Sequence, residues 1–429
     1  MDVIWLALVF ITLLALRCPV AYAMILSSAV SLWMSGLPLG NISQKLAGGV
    51  DSFPLLAIPL FILAGSLMNT LGITERIFGL ASALVGHIPG GLAHVNVVAS
   101  VIFAGMSGSA IADAGGLGTV EMKAMNDAGY PRELSAAITA ASATIGPVVP
   151  PSIAMVIYAF IAEQSLGALF LAGIFPGLLM AALMMLLIYV ASKRGHYDLP
   201  ALPRASRTEL GSAFRRAFLP LLAPTILVGG ILFGIFTPTE AGVVVVVYVL
   251  LIGSVFLKFE IGHIRDAMMD TVRTSAATLF IIAASMIFGW IVVVYRVSDN
   301  TLALLSAHID SPSMVMLFIV ISMMILGMFL EGIPVQVLTV PTFMILASRY
   351  DIDPIHLGVV VVLTIMLGAL TPPVGLVLYT VMATSGVKIE KLVKALWPFY
   401  IVLLVTILIV ALFPAISLWL PRLLLEYGT

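Results

Sequence analysis

The chain has 429 residues, of which 61% are hydrophobic and only 10% charged, with a net charge of −1. A soluble domain carries roughly 25% charged residues, so this composition excludes a soluble globular protein and defines a polytopic membrane protein. The near-zero charge speaks against a nucleic-acid partner, and the single cysteine, Cys18, excludes an internal disulfide framework or a cysteine metal site.

Taken in order, the apolar runs predict a first crossing at 3–16 and a second at 19–36. No basic residue precedes the first run, so it reads as a transmembrane helix rather than a cleaved signal peptide. Residues 40–51 are polar and too short to span; they suit the interface. A third crossing at 54–71 is followed by a charged surface helix at 73–87. The segment 92–122 is too long for one simple crossing and glycine-rich at its centre, which predicts a re-entrant hairpin. Residues 132–162 form a fourth crossing, broken by Gly146-Pro147 and Pro150-Pro151, and 165–191 a fifth. A basic hydrophilic linker, 192–216, separates this half from 217–429. The second half reads as crossings at 217–236 and 239–257, an amphipathic stretch at 258–273 and a crossing at 275–295. A surface stretch at 296–311, a hairpin at 313–347 and a broken helix at 355–385 come next. A basic surface turn at 388–394 and a last crossing at 396–420 close the chain.

The halves, 1–191 and 217–429, match in register. Pro19 pairs with Pro238, and LFILAGSLM (60–68) with LFIIAASMI (279–287), at an offset of 219 residues; five of the nine positions are identical. Gly105-Met106 pairs with Gly327-Met328, and Pro150-Pro151 with Pro372-Pro373, at an offset of 222. Each repeat carries five crossings plus a hairpin, and an odd number of crossings inverts the second repeat. With the N-terminus outside, 16 of the 20 Lys and Arg residues fall inside; only Lys45, Arg296, Arg349 and Arg422 fall outside. The positive-inside rule supports that orientation, with both termini outside.

Irregular backbone at membrane depth is tolerated only where protein buries it or where it lines a cavity. Inverted repeats with broken helices are the architecture of secondary transporters. A broken helix leaves carbonyls at one half-helix end, suited to a cation such as Na⁺, and N–H groups at the other, suited to a carboxylate. Each proline also frees the carbonyl four residues earlier. The candidate cation ligands of the first repeat are Ser107, Gly108 and Ser109 at the tip, facing Gly146, Val149, Pro150 and Ser152. Those of the second repeat are Glu331, Gly332 and Pro334, facing Thr371, Pro372 and Gly375. Pro151 and Pro373 complete the breaks. Asp113 is a carboxyl in a membrane segment, functional by default; it either touches the ion or substrate or braces the tip. Gly115, Gly116 and Gly118 read as close-packing positions. A channel would need no paired half-sites, and no nucleophile, paired-acid or metal-ligand spacing supports an enzyme.

The stretches GMSGSAIADAGGLGTVEMKAM, SAAITAASATIGPVVPPSIAMVIYA, FLEGIPVQVLTVPTFMILA and LTPPVGLVLYTVMA resemble the large membrane subunit, DctM type, of tripartite ATP-independent periplasmic (TRAP) transporters. The resemblance covers essentially the whole chain. It implies an elevator-type ion transporter that moves small carboxylates, such as C4-dicarboxylates or sialic acids, driven by Na⁺ and without a further cofactor. It places the Na⁺ sites on the residues just named and the substrate between the two tips. It further implies a small four-helix membrane subunit (DctQ type), expected as a separate chain, a periplasmic binding protein, and a place in the bacterial inner membrane. A stand-alone ion-coupled carboxylate transporter, needing no binding protein, is the alternative.

Overall fold

The computed structural model describes residues 2–16, 18–195, 199–256, 261–295, 311–425 and 427. Among them the regular structure is helical. The first half begins with α1 (Asp2–Ala15), α2 (Val20–Met34), α3 (Gly40–Val50), α4 (Ala57–Thr70) and α5 (Ile73–Val85). The chain turns by 73° between α4 and α5, at Gly72, whose φ of +68° suits a residue without a Cβ. The expected hairpin at 92–122 is α6 (Gly91–Ser107), a short α7 (Ala110–Gly115) and α8 (Leu117–Asp127). The expected broken helix is α9 (Arg132–Ala143), an irregular stretch at 144–152 and α10 (Ile153–Ala162), followed by α11 (Leu166–Lys193).

In the second half α12 (Arg207–Leu232), α13 (Pro238–Phe256) and α14 (Ile261–Val294) precede the second hairpin, α15 (Pro312–Phe329) and α16 (Gly332–Arg349). The second broken helix is α17 (Pro354–Leu370), the stretch 371–375 and α18 (Leu376–Ser385), and α19 (Ile389–Leu412) and α20 (Ala415–Leu425) end the chain. Hairpin, broken helix and long helix thus recur in the same order in both halves.

Four boundaries differ from the sequence reading, each for a local reason. The stretch 258–273 is not a separate surface element. From residue 261 it is the start of α14, which runs unbroken for 34 residues, about 50 Å at 1.5 Å per residue. No glycine or proline lies between Ile264 and Phe288 to interrupt it. The linker ends at Ser206, because a capping box between Ser206 and Glu209 starts α12 there. Leu202 N donates to Gly86 O at 2.8 Å and Tyr130 Oη to Pro200 O at 3.2 Å, so its described part is docked onto the first half. The turn at 388–394 is the beginning of α19. The last crossing is divided at Phe413, held at φ −121° and ψ 82° by the following Pro414. Residues 296–310 of the expected surface stretch lie outside the described residues, as do Arg17, Lys258 and Arg296 of the orientation argument.

Seven described helices are long and apolar enough to cross a membrane alone, or eight with the bent α4–α5 pair. Both arms of the second hairpin are among them, at 18 residues each. That is about 27 Å against a hydrocarbon core of about 30 Å, so its arms have nearly full spanning length. The pieces of the broken helices are shorter and depend on each other. Two apolar cores result. One joins α1, α2 and α14 through Leu6, Phe10, Met24, Leu32, Ile287 and Phe288. The other, larger one holds the hairpins and broken helices of both halves together.

Candidate functional site

Each hairpin tip meets the broken helix of its own half. In the first half Gly108 takes φ +61° at the end of α6. A Cβ there would lie 2.6 Å from the Pro151 carbonyl oxygen. Ile153 N donates to Gly108 O at 3.4 Å, tying tip to break. Ser109 caps α7 by accepting from Ala112 N, and Ser152 caps α10 by accepting from Met155 N at 3.1 Å while donating to Pro147 O. Ser107 donates to Asp113 Oδ1 and accepts from Ser109 N at 3.2 Å. Asp113 is 2% exposed, and its Oδ2, unpartnered among the described residues, faces Gly146 so closely that a Cβ there would collide with it. Among the described residues its hydrogen bond is to Ser107, within the tip.

In the second half the tip is Leu330-Glu331. Glu331 stands at the N-terminal cap of α16 and makes no capping bond, leaving its carboxyl half-buried and free to face inward. Val374 N donates to Met328 O at 3.1 Å, again tying tip to break. Gly327 and Gly368 let the two backbones touch: a Cβ on Gly368 would lie 2.8 Å from Gly327 Cα. Gly375, at φ +34°, begins α18 with the carbonyls of Thr371 and Ala369 crowded about it, 3.0 and 3.2 Å from where a Cβ would be. Pro150-Pro151 and Pro372-Pro373 are both cis.

The two tips face one chamber. A cavity of about 340 Å³ is lined by Gly108 and Ser109 from one tip and by Glu331 and Gly332 from the other. The first turns of α10 (Ile153, Ala154), α16 (Gly332, Ile333) and α18 (Leu376, Val377) also open on it. A second cavity of about 270 Å³ adjoins it, sharing Ser109, Asp270 and Thr274 and adding Ser66, Asn69 and Ser107. Of the residues singled out in the sequence, Ser107, Gly108, Ser109, Glu331 and Gly332 line this space, and so do Gly115 and Gly116, read from the sequence as close-packing positions. Gly146, Val149, Pro150, Pro151, Ser152, Thr371, Pro372, Pro373 and Gly375 do not line it and belong to the breaks, Pro334 lies within the first turn of α16 without lining it, and Asp113 bonds to Ser107. Val149 points away, toward Gly177 on α11. Gly118 packs against Thr139, which leaves room for no side chain.

The sequence reading missed the opposite wall. Asp270, Thr274 and Thr278 are spaced i, i+4, i+8 on α14 and line the chamber. Gln336, on α16, lines it too. One signal was present for Asp270: at the offset of 219 it falls opposite Asp51 in the first repeat.

Hairpins and broken helices meeting at a chamber with polar groups among a mainly apolar lining, in a chain of long apolar helices, define a multi-pass membrane transport protein. The chain belongs to the family described as "Tripartite ATP-independent periplasmic transporter, DctM component", whose model matches residues 7–416. It is 41% identical over 427 residues to the sialic acid TRAP transporter large permease protein SiaM of Vibrio cholerae, covering 99% of this chain and 98% of that one. It is 36% identical to the C4-dicarboxylate TRAP transporter large permease protein DctM of Pseudomonas aeruginosa, covering 89% of each chain. The 2,3-diketo-L-gulonate TRAP transporter large permease protein YiaN of Escherichia coli is 33% identical, with 93% of this chain and 94% of that one covered. Among solved structures, the YdaH transporter of Alcanivorax borkumensis matches with a TM-score of 0.62 at 14% identity, covering 88% of this chain and 87% of that one, a likeness of fold.

Proposed function

We propose that the chain is the membrane permease of a Na⁺-coupled importer of small organic carboxylates in the bacterial inner membrane. The observation that carries this reading is the chamber between the Ser109 and Glu331 tips, onto which the N-terminal turns of α10, α16 and α18 open. Helix N-termini present unpaired N–H groups and the positive end of the dipole, and so suit a carboxylate without a buried cation. Carbonyls and hydroxyls at the breaks, from Ser107, Ser109, Pro147, Pro151, Thr371 and Ala369, offer the hard oxygen donors that a Na⁺ ion prefers. Na⁺ bound there offsets the substrate's charge and couples its entry to the ion gradient.

The packing supports an elevator movement. Hairpins and broken helices of the two halves interlock: α7 contacts α18, α10 contacts α16 and α17, and α9 contacts α18. Tyr158 on α10 donates to Pro354 O at 2.7 Å, and its ring fills the space above Gly358 on α17. These elements pack together, while α1, α2 and part of α14 share a second core, with Ala267 and Ile282 of α14 reaching into the first. In this reading the hairpins and broken helices slide as one body against that scaffold, with the repeats inverted and both termini periplasmic. A small four-helix subunit widens the scaffold and a periplasmic binding protein delivers substrate.

The test is reconstitution. Proteoliposomes holding the chain and its small subunit should take up a carboxylate only with an inward Na⁺ gradient and an added binding protein. Uptake independent of Na⁺ overturns the coupling, and full uptake without the binding protein favours the stand-alone carrier.

A further inference from the structure

Apart from the chamber, a cavity of about 250 Å³ lies among α9, α11 and α19. Arg194 is the one polar side chain among its described lining residues; the others are apolar, such as Ile138 on α9, Leu187 and Ala191 on α11, and Phe399 on α19. The cavity is open at its edge, where Arg194 and Pro398 are exposed and Ala191 and Ala395 half-buried. Its depth follows from where the three helices end. α9 begins at Arg132, α11 ends at Lys193 and α19 begins at Ile389, and every lining residue on them lies within ten residues of those ends. That is about 15 Å at 1.5 Å per residue, the depth at which lipid headgroups give way to acyl chains. The ends are held together by an ion pair between Lys391 and Glu133, at 3.1 Å.

The rim is basic. Arg132, Lys193, Arg194, Lys388, Lys391 and Lys394 stand at these ends against two acids, Glu133 and Glu390. Lys391 is four residues from Ala395 and Lys394 four from Pro398, so both lie on the face of α19 that lines the cavity. Aromatic rings stand at the same level: Trp397 is 65% exposed, and Lys193 Nζ lies 5.0 Å from the centre of the Tyr189 ring. Aromatic residues and flanking bases are the pattern of a membrane interface.

Water finds too few polar partners in such a slot to fill it, and a small soluble anion would leave its apolar walls uncovered. An acyl chain suits the walls, and a phosphodiester at the mouth can accept two parallel N–H bonds from a guanidinium. Basic pockets between membrane helices recognise anionic headgroups in this way. We propose that the slot binds one phospholipid of net negative headgroup, with its phosphate on Arg194 and part of one acyl chain between Ile138, Leu187 and Phe399. The proposal is independent of the carboxylate reading. α9 leads into the first break, and α19 packs on both α9 and α17, so the bound lipid braces the helices behind both broken segments.

The test is native mass spectrometry and thermal shift on the purified full chain in neutral detergent. It is titrated with phosphatidylglycerol, with phosphatidylcholine of the same acyl chains, and with inorganic phosphate. One phosphatidylglycerol should bind at least about fivefold more tightly than phosphatidylcholine and raise the melting temperature, the scale set by one basic residue near an anionic lipid. Arg194→Gln, at an exposed position, should weaken phosphatidylglycerol about fivefold. Arg215→Gln removes the same charge from an exposed position on α12 that does not line the slot, and should change nothing. Ala191→Phe fills the slot and keeps every charge, so it should abolish the one-to-one binding of phosphatidylglycerol. Equal binding of the two lipids overturns the proposal, as does an equal effect of the two arginine variants, which would mean general surface charge. Displacement of the lipid by inorganic phosphate at millimolar concentration overturns it in favour of a free-anion site. Undiminished binding in Ala191→Phe overturns the assignment to this slot.

Discussion

The two half-sites share a backbone frame and differ in chemistry. Each has a hairpin tip tied to its break by one backbone hydrogen bond, Ile153 N to Gly108 O in the first and Val374 N to Met328 O in the second. Around that frame the first half is a closed polar knot: Ser107 on Asp113, Ser109 and Ser152 as helix caps, Ser152 on Pro147. At the offset of 222 residues Glu331 stands where Ser109 does, and Val374 where Ser152 does. No side chain caps α16 or α18. The second half keeps its backbone close through Gly327 and Gly368 and turns Glu331 and Gln336 toward the chamber. On the proposed Na⁺-coupled reading, the knot is the expected main site of the ion and the open tip that of the substrate, and the variants below test this.

The sharpest way to break this comparison is to fill the glycines at the two tips. A side chain at Gly108 meets backbone, the Pro151 carbonyl at 2.6 Å, and is strained besides by φ +61°. Such strain costs about 1–3 kcal/mol, and neither carbonyl nor tip can yield without opening the knot. Gly108→Val should therefore reduce Na⁺-driven uptake, per unit of inserted protein, by about thirtyfold or more. A Cβ at Gly332 meets only a side-chain methyl, Ile365 Cγ2 at 2.7 Å. Side chains repack, so Gly332→Ala should lose no more than about threefold, the scale of a minor packing change. Equal losses at the two tips would mean that the halves are not built differently.

The carboxyls come next. Asp113→Ala leaves the buried Ser107 hydroxyl only its long contact to Ser109 O at 3.4 Å, a loss of about 1–3 kcal/mol. The Na⁺ concentration for half-maximal uptake should rise about tenfold, with the substrate KM little changed. Glu331→Gln keeps the shape of a side chain that makes no capping bond. It should move the substrate KM and leave the Na⁺ dependence in place. If the two variants exchange these signatures, ion and substrate sites are exchanged as well.

What could be read from the sequence was what backbone chemistry writes there. A proline cannot donate, so the Gly146-Pro147, Pro150-Pro151 and Pro372-Pro373 breaks were visible, and the glycines at 105, 108 and 327 marked the hairpins they join. What could not be read depends on neighbours distant in the chain. The charges at 265–273 look like a surface helix until α14 is seen to run through them, because nothing in the local sequence distinguishes a helix that stops at the interface from one that continues. Asp270 and Gln336 acquire meaning only when α14 and α16 face each other across the chamber. Asp113 is the intermediate case: its cost at membrane depth was legible, but its bond to Ser107 was not.

The smallest expected effect concerns what joins the halves rather than what distinguishes them. Tyr158 belongs to the first broken helix, and its hydroxyl donates at 2.7 Å to the carbonyl of Pro354, the first residue of the second. Its ring packs where Gly358 leaves space: a Cβ on Gly358 would lie 2.5 Å from the ring. Tyr158→Phe keeps the ring and removes only the donor, at a cost of about 0.5–1.5 kcal/mol. If both broken helices move as one body, this contact is the same at both ends of the movement. The variant should then lower the melting temperature of the purified complex by a few degrees and leave the uptake rate and Na⁺ dependence unchanged. A substitution that spared stability but slowed uptake would show that the contact forms and breaks in each cycle, and the halves would have to move against each other. Gly358→Ala separates the two cases by a second route. It wedges the same surfaces apart, so it should destabilise more than Tyr158→Phe if the surfaces stay in contact throughout.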